Sequence, residues 1–136
     1  MPSSWQPNRV EQRVADILRA IRKIREYCTD IDRSEFLSDE KTQDAVTRQL
    51  LIIAEASGKI MFLEEQTSAP PSHRLTSIHQ EIPWKAISGM GNRIRHGYGT
   101  IDPEVLWDTA IASKDLNQLE MALQRSLPLI TGDGSY

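Results

Sequence analysis

Residues 89–98 contain a dense group of side chains that could act on a phosphate ester. The group comprises Asn92, Arg93, Arg95, His96 and Tyr98. Arginine binds phosphate, histidine moves a proton near neutral pH, and asparagine and tyrosine orient neighbouring groups by hydrogen bonding. On a helix Asn92, Arg93 and His96 share a face. The spacing fits a site for phosphate binding and proton transfer. On residue chemistry alone, however, the favoured interpretation is a solvated helix end, where cations meet the negative pole of the helix dipole.

Metal chemistry is not predicted. His73, His79 and His96 lack the paired spacing of metal ligands, and Cys28 is the sole cysteine, so there is no Cys-x-x-Cys motif. We expect neither a metal site nor a cofactor. His73 and His79 fall in a polar stretch at 66–82, predicted to be a loop or a frayed helix end, so both are expected to be solvated.

The spacing of apolar residues predicts the helices that would position the cluster. They are expected at about 10–28, at 41–64, at 83–95, from the Asp102-Pro103 cap onward, and from Asp115 to Pro128, with one further turn at Phe36–Leu37 and a non-helical turn at 97–101. No segment alternates with the period of a strand. The prediction is an all-α, up-and-down bundle of four to five helices at 10–127, with an N-terminal arm at 1–9 and a disordered tail at 128–136.

Composition argues against a nucleic-acid coat protein and against a membrane protein. The 136 residues carry 16 basic and 19 acidic groups, a net charge of -3, which argues against a wholly basic nucleic-acid coat but leaves room for a local basic patch. Hydrophobic residues make up 39% of the chain, enough to bury a core. The longest apolar run, 50–54, is far shorter than a membrane span, and the first residues lack a secretory signal. We therefore expect a cytoplasmic protein that does not enter a membrane.

Over about residues 10–127 the chain resembles the HepT-like group of the HEPN superfamily, small helical RNases that act as toxins in toxin–antitoxin pairs. The resemblance rests on the order and spacing of several segments. They are Val14-x-x-Ile17-Leu18-x-x-Ile21, residues 36–46 from Phe36 to Val46, residues 48–56 from Arg48 to Ala56, Ile82-Pro83-Trp84, residues 93–98 from Arg93 to Tyr98, and Ile101-Asp102-x-x-x-x-Trp107.

The resemblance implies a homodimer with two copies of the motif around one cleft. It also implies metal-independent endoribonuclease chemistry and a cognate antitoxin of the minimal nucleotidyltransferase type, which transfers AMP to the motif tyrosine, here Tyr98. In this interpretation His96 moves the proton, Asn92 orients it or the phosphate, and Arg93 and Arg95 bind RNA phosphate.

The family motif is Arg-x4-His-x-Tyr, and this chain departs from it at one position. His96 and Tyr98 match, but Gly91 stands where the family has arginine. We therefore expect attenuated RNA cleavage. Two alternatives stay open: a non-catalytic helical module that serves a nucleotidyltransferase as scaffold or AMP acceptor, and a helical dimer with no site at all.

Overall fold

A computed structural model describes residues 9–96 and 101–131. The helices in these ranges are α1 (Arg9–Tyr27), α2 (Arg33–Leu37), α3 (Glu40–Glu65), α4 (Leu75–Ile78), α5 (Trp84–His96), α6 (Pro103–Trp107) and α7 (Asp115–Thr131), with a 3-10 turn at Pro71–His73 and a π-helical segment at Asp108–Ala112. No strand occurs in the described ranges, which confirms the all-α class. The further turn predicted at Phe36–Leu37 forms the end of α2, and the short helix α4 is an addition to the predicted segments.

The long helix α3 forms the centre of the bundle. Asp39 caps its start, where its carboxylate accepts hydrogen bonds from the backbone N–H and the hydroxyl of Thr42. These two hydrogen bonds hold the pKa of Asp39 below its usual value, and the one from the Thr42 hydroxyl has the larger effect. Helices α1 and α5 both pack along α3. The apolar stripe of α3 extends beyond one face because it has two long neighbours within the same chain.

One hydrophobic core joins all the long helices. Its fully buried large side chains include Ile17, Ile21 and Ile24 of α1, Leu50, Ile53 and Ile60 of α3, Leu119 and Leu123 of α7, and Phe36 of α2. The ring of Phe36 lies 5.3 Å from that of Trp107, a contact that joins α2 to α6. In the part of the chain that the structure describes, no helix has the length and apolarity needed to cross a membrane.

The segment predicted as a loop at 66–82 is partly helical. Glu64, a buried side chain near the end of α3, makes the hydrogen bonds that hold this segment. The carboxylate accepts hydrogen bonds from the backbone N–H of Leu75 at 2.6 Å, and from the N–H and hydroxyl of Thr76 at 3.1 and 2.8 Å. An acceptor that comes from the preceding helix therefore starts the short helix α4.

The prediction that His79 is solvated is wrong, whereas His73 is exposed as expected. His79 is 9% exposed, and its Nε2 lies 2.5 Å from the hydroxyl of Ser126 on α7. Its Nδ1 lies 3.3 Å from the carboxylate of Glu81, and its carbonyl accepts a hydrogen bond from the indole N–H of Trp84. A polar sequence hid this burial because the partner, Ser126, is 47 positions away.

The predicted start of α6 is confirmed, but two details of α7 differ. Asp102 caps α6 through the N–H of Glu104, with Pro103 following. Asp115 is the first residue of α7 rather than its cap, and the Ser113 hydroxyl accepts a hydrogen bond from its N–H. The prediction that Pro128 ends this helix is wrong, since α7 continues to Thr131. Proline lacks one N–H donor, but its φ is itself compatible with a helix.

Candidate functional site

Helix α5 carries the motif and is fixed at its start by the core. Ile82 and Trp84 are buried, and the N–H of Ile87 donates to the carbonyl of Pro83. The helix then runs along α3 to its last residue, His96. Its bounds agree with the prediction of 83–95 to within one residue at each end.

The approach of α5 to α3 is close because two small residues face each other. A Cβ atom built on Gly58 of α3 would lie 2.8 Å from the hydroxyl oxygen of Ser88. Contacts this short are not found for real Cβ atoms, so any side chain at 58 requires the Ser88 hydroxyl to move. The hydroxyl of Ser57, next to Gly58, is buried and has no hydrogen-bond partner among the described residues. Small side chains thus set the distance between the helix that carries the motif and the bundle.

The motif positions lie in different environments on α5. Gly91 is buried, whereas Asn92 and Arg93 are exposed. Successive residues on a helix are about 100° apart, so residue 91 begins on the inner side and the next two turn outward. An arginine at 91 would have to extend along the protein surface from a covered Cα to bring its guanidinium to solvent.

Arg93 borders a groove of about 310 Å³ between α5 and α6. The groove is mostly apolar, with Met90 and Ile94 from α5 and Val105 and Leu106 from α6. Asp102 also lines this groove, so the guanidinium of Arg93 and a carboxylate share one lining and the groove is not a wholly basic anion site.

The structure brings Asn92 and Arg93 together at the exposed side of α5, near its C-terminal end. Arg95 and His96 lie in the last turn of the same helix, and their side chains lie outside the described part of the structure. Tyr98, the predicted AMP acceptor, lies outside the described residues. Among the described residues no cluster of three or more histidine, cysteine or carboxylate side chains could hold a metal ion.

Sequence reasoning missed a second surface feature, a cavity of about 350 Å³ between the start of α1 and the end of α3. Its lining includes Arg9, Arg13, Lys59 and the exposed ring of Phe62. The signal was present in α3, where Lys59 and Phe62 are one turn apart. The arginines come from a helix some 50 positions earlier, so only the fold shows that they converge.

A model of the HepT-like ribonuclease family, "Ribonuclease HepT-like", matches residues 17–126. A relative from Thermococcus cleftensis, "Probable ribonuclease HepT", is 38% identical over 94 residues, which cover 69% of this chain and 76% of the relative. "Putative RNase MJ0127" from Methanocaldococcus jannaschii is 31% identical over 107 residues, covering 77% of this chain and 79% of the relative. No solved structure matches the chain.

The helical bundle and these matches define the class of protein: the chain belongs to the HepT-like ribonuclease family. The family match begins within α1 and ends within α7, and it includes the whole of α5, the helix that carries Gly91.

Proposed function

We propose that this protein is the ribonuclease-type member of a toxin–antitoxin pair, with RNA cleavage weakened by Gly91. Membership of the HepT-like ribonuclease family supports RNA as the substrate. One observation carries the proposal of weak activity: the motif position that holds an arginine in the family is here a buried glycine with no side chain.

The proposed reaction needs no group beyond the RNA and the protein. The 2′-hydroxyl oxygen of the RNA attacks the adjacent phosphorus, and the bond from phosphorus to the 5′ oxygen breaks. The products are a 2′,3′-cyclic phosphate and a free 5′-hydroxyl. A base takes the proton of the 2′-hydroxyl, and an acid gives a proton to the leaving 5′ oxygen. His96 moves the proton, a role that suits an imidazole near neutral pH and contributes typically about 10²- to 10⁴-fold to the rate. Asn92 orients the proton or the phosphate, and Arg93 and Arg95 bind phosphate.

The missing group is a cation for the transition state. The pentacoordinate phosphorus carries extra negative charge, which a fixed arginine stabilises. Arg93 is rotated by about 200° from position 91 on the helix axis, so it cannot replace that arginine while α5 stays intact. Loss of one fixed donor typically lowers the rate by about 10²- to 10³-fold.

The proposed partner is a minimal nucleotidyltransferase that transfers AMP from ATP to Tyr98. The phenol oxygen attacks the α-phosphorus of ATP, its proton is lost, and pyrophosphate leaves. The bound AMP places a negative phosphate two residues after His96, close in sequence to Arg93 and Arg95. It would compete with RNA phosphate for the same cations.

Intact mass spectrometry tests the proposed modification. The protein is incubated with the cognate nucleotidyltransferase, ATP and Mg²⁺, beside Tyr98→Phe and a control at another tyrosine, Tyr27→Phe. We expect one AMP adduct on the unaltered chain and on Tyr27→Phe, and none on Tyr98→Phe. An unchanged mass of the unaltered chain, or an adduct that persists in Tyr98→Phe, would contradict the proposal.

The second candidate function is a non-catalytic module that serves as scaffold or AMP acceptor for the nucleotidyltransferase. Gly91 favours it too, because a site without its arginine can keep the acceptor and lose the chemistry. The two functions differ in their response to Gly91→Arg: restored cleavage supports a weakened ribonuclease, and AMP transfer without restorable cleavage supports the module.

A further inference from the structure

The cavity between α1 and α3 has the composition of a contact site for single-stranded nucleic acid. Phe62 is 57% exposed, an unusual degree for a large aromatic side chain in a protein with an intact core. It lines the cavity together with Arg9, Arg13 and Lys59. The chain as a whole is negatively charged, so this local excess of cations stands out against its surroundings.

Arg9 and Lys59 are exposed, and Arg13 pairs with Asp16 at 3.4 Å on the surface of α1. Exposed ion pairs of this kind are weak and screened by salt, so Arg13 can exchange its partner for a phosphate. Among the described residues that line this cavity, none is acidic. The cavity therefore attracts an anion.

The aromatic ring indicates which kind of anion. An exposed ring stacks on a base that is itself unstacked, and such bases occur in single strands and loops rather than inside a duplex. A free phosphate would contact the cations but has no flat group to stack on the ring, and an acidic peptide does not require one. Single-stranded RNA uses both.

A continuous surface joins this cavity to the motif helix. Lys59 and Phe62 also line a second groove, of about 620 Å³, which includes Gly58 and Ser88. Ser88 is one turn before Asn92 on α5, so both lie on the same side of that helix. Phe62 lies four residues, or roughly 6 Å, from Gly58 along α3, and Asn92 lies four residues, or roughly 6 Å, from Ser88 along α5, at 1.5 Å per residue.

We propose that this surface, from Arg9 and Arg13 past Phe62 to Ser88, is an extended binding site for single-stranded RNA, with one base stacked on Phe62. The inference rests on the proposed RNA substrate and names its form and its second point of contact. Glu55, which lines the middle of the surface, balances part of the charge there, so the strongest anchor is at the Phe62 end.

Fluorescence anisotropy with a labelled oligouridylate in chelator-containing buffer tests the site. Phe62→Leu removes the aromatic face and keeps an apolar side chain. Lys59→Gln removes one cation. The matched controls are Met121→Ala, an apolar side chain on α7 with 56% exposure, and Lys23→Gln, an exposed cation on α1 outside both cavities. Each variant is also checked for its melting temperature and its oligomeric mass.

We expect Phe62→Leu to weaken binding at least about fivefold, the lower end of what one stacked base contributes, with no change in the salt dependence. Lys59→Gln should reduce the slope of log affinity against log salt by about 0.7, the value for one phosphate contact on a single strand. The two controls should change neither quantity. The loss of affinity in Phe62→Leu would then measure stacking, and the change of salt dependence in Lys59→Gln would measure the contact with phosphate.

Three results would overturn the inference: no binding of the oligouridylate by the unaltered chain, unchanged binding by both Phe62→Leu and Lys59→Gln, or equal losses in the controls. A Phe62→Leu variant that loses a dimer but keeps its RNA affinity would assign the surface to a second copy of the chain, and would also contradict it. AMP transfer to Tyr98 needs no RNA, so that test of the proposed function can succeed when this inference fails.

Discussion

Gly89 and Gly91 lie two residues apart on α5, and their surroundings differ. A Cβ atom built on Gly89 meets nothing within 4 Å, whereas Gly91 is buried. Glycine weakens the interior of a helix at either position because it has more backbone freedom to lose on folding. At Gly89 a side chain could be added into open space, whereas at Gly91 it would start from a buried backbone position.

We predict that Gly89→Ala raises the free energy of unfolding by about 1 kcal/mol, the difference in helix propensity between the two residues. Gly91→Arg should give no such gain, although helix propensity alone would predict a slight one, since the new side chain starts from a covered position. Urea denaturation of the two variants beside the unaltered protein measures both effects. A higher stability for Gly91→Arg than for Gly89→Ala would show that position 91 has room to spare.

At the scale of the elements, Glu64 connects α3 to the segment that leads into α5. Glu64→Ala would leave the N–H groups of Leu75 and Thr76 without their acceptor. A buried donor left unsatisfied costs about 1–3 kcal/mol, so we expect a loss of about 2–4 kcal/mol in the free energy of unfolding. The control is Glu65→Ala, an exposed neighbour, which should stay within about 0.5 kcal/mol of the unaltered protein. Equal losses in the two variants would refute this role.

The elements that could be predicted from the sequence are those with a local signal. Helices α1, α3 and α5 follow apolar periodicity, and Asp39 and Asp102 mark helix starts through their own capping bonds. The burial of His79 could not be predicted, because it depends on Ser126 of a distant helix. Helix α4 could not be predicted for the same reason, because the acceptor for its first N–H group is the carboxylate of Glu64, eleven positions earlier.

The candidate site was predictable in part for a related reason. Asn92 and Arg93 were placed on one helix by spacing alone, and the structure agrees. The burial of Gly91 depends on how α5 packs in the bundle, which periodicity does not specify at a glycine. The basic cavity at Phe62 is lined by residues of both α1 and α3, so the sequence of either helix alone does not predict it.

At the scale of the whole molecule, the family resemblance leads us to predict a homodimer in which both copies of α5 approach a two-fold axis at the motif. Light scattering should give twice the 15.4 kDa chain mass. In a Cys28→Ser background, Asn92→Cys should cross-link between copies with a short bis-maleimide, and Lys114→Cys, exposed before α7, should not. A dimer that cross-links through residue 114 and not through 92 would place the motifs on outer surfaces and remove the shared cleft.

RNA cleavage in chelator-containing buffer tests the central claim most directly. The unaltered chain is compared with Gly91→Arg, with Gly91→Arg/His96→Ala, and with Ala86→Arg, which adds the same side chain to an exposed position of α5. We predict weak or no cleavage by the unaltered chain and by Ala86→Arg, a gain of at least about 10²-fold in Gly91→Arg, and loss of that gain in the double variant. Strong cleavage by the unaltered chain would contradict the account and would shift the transition-state role to Arg93 or Arg95.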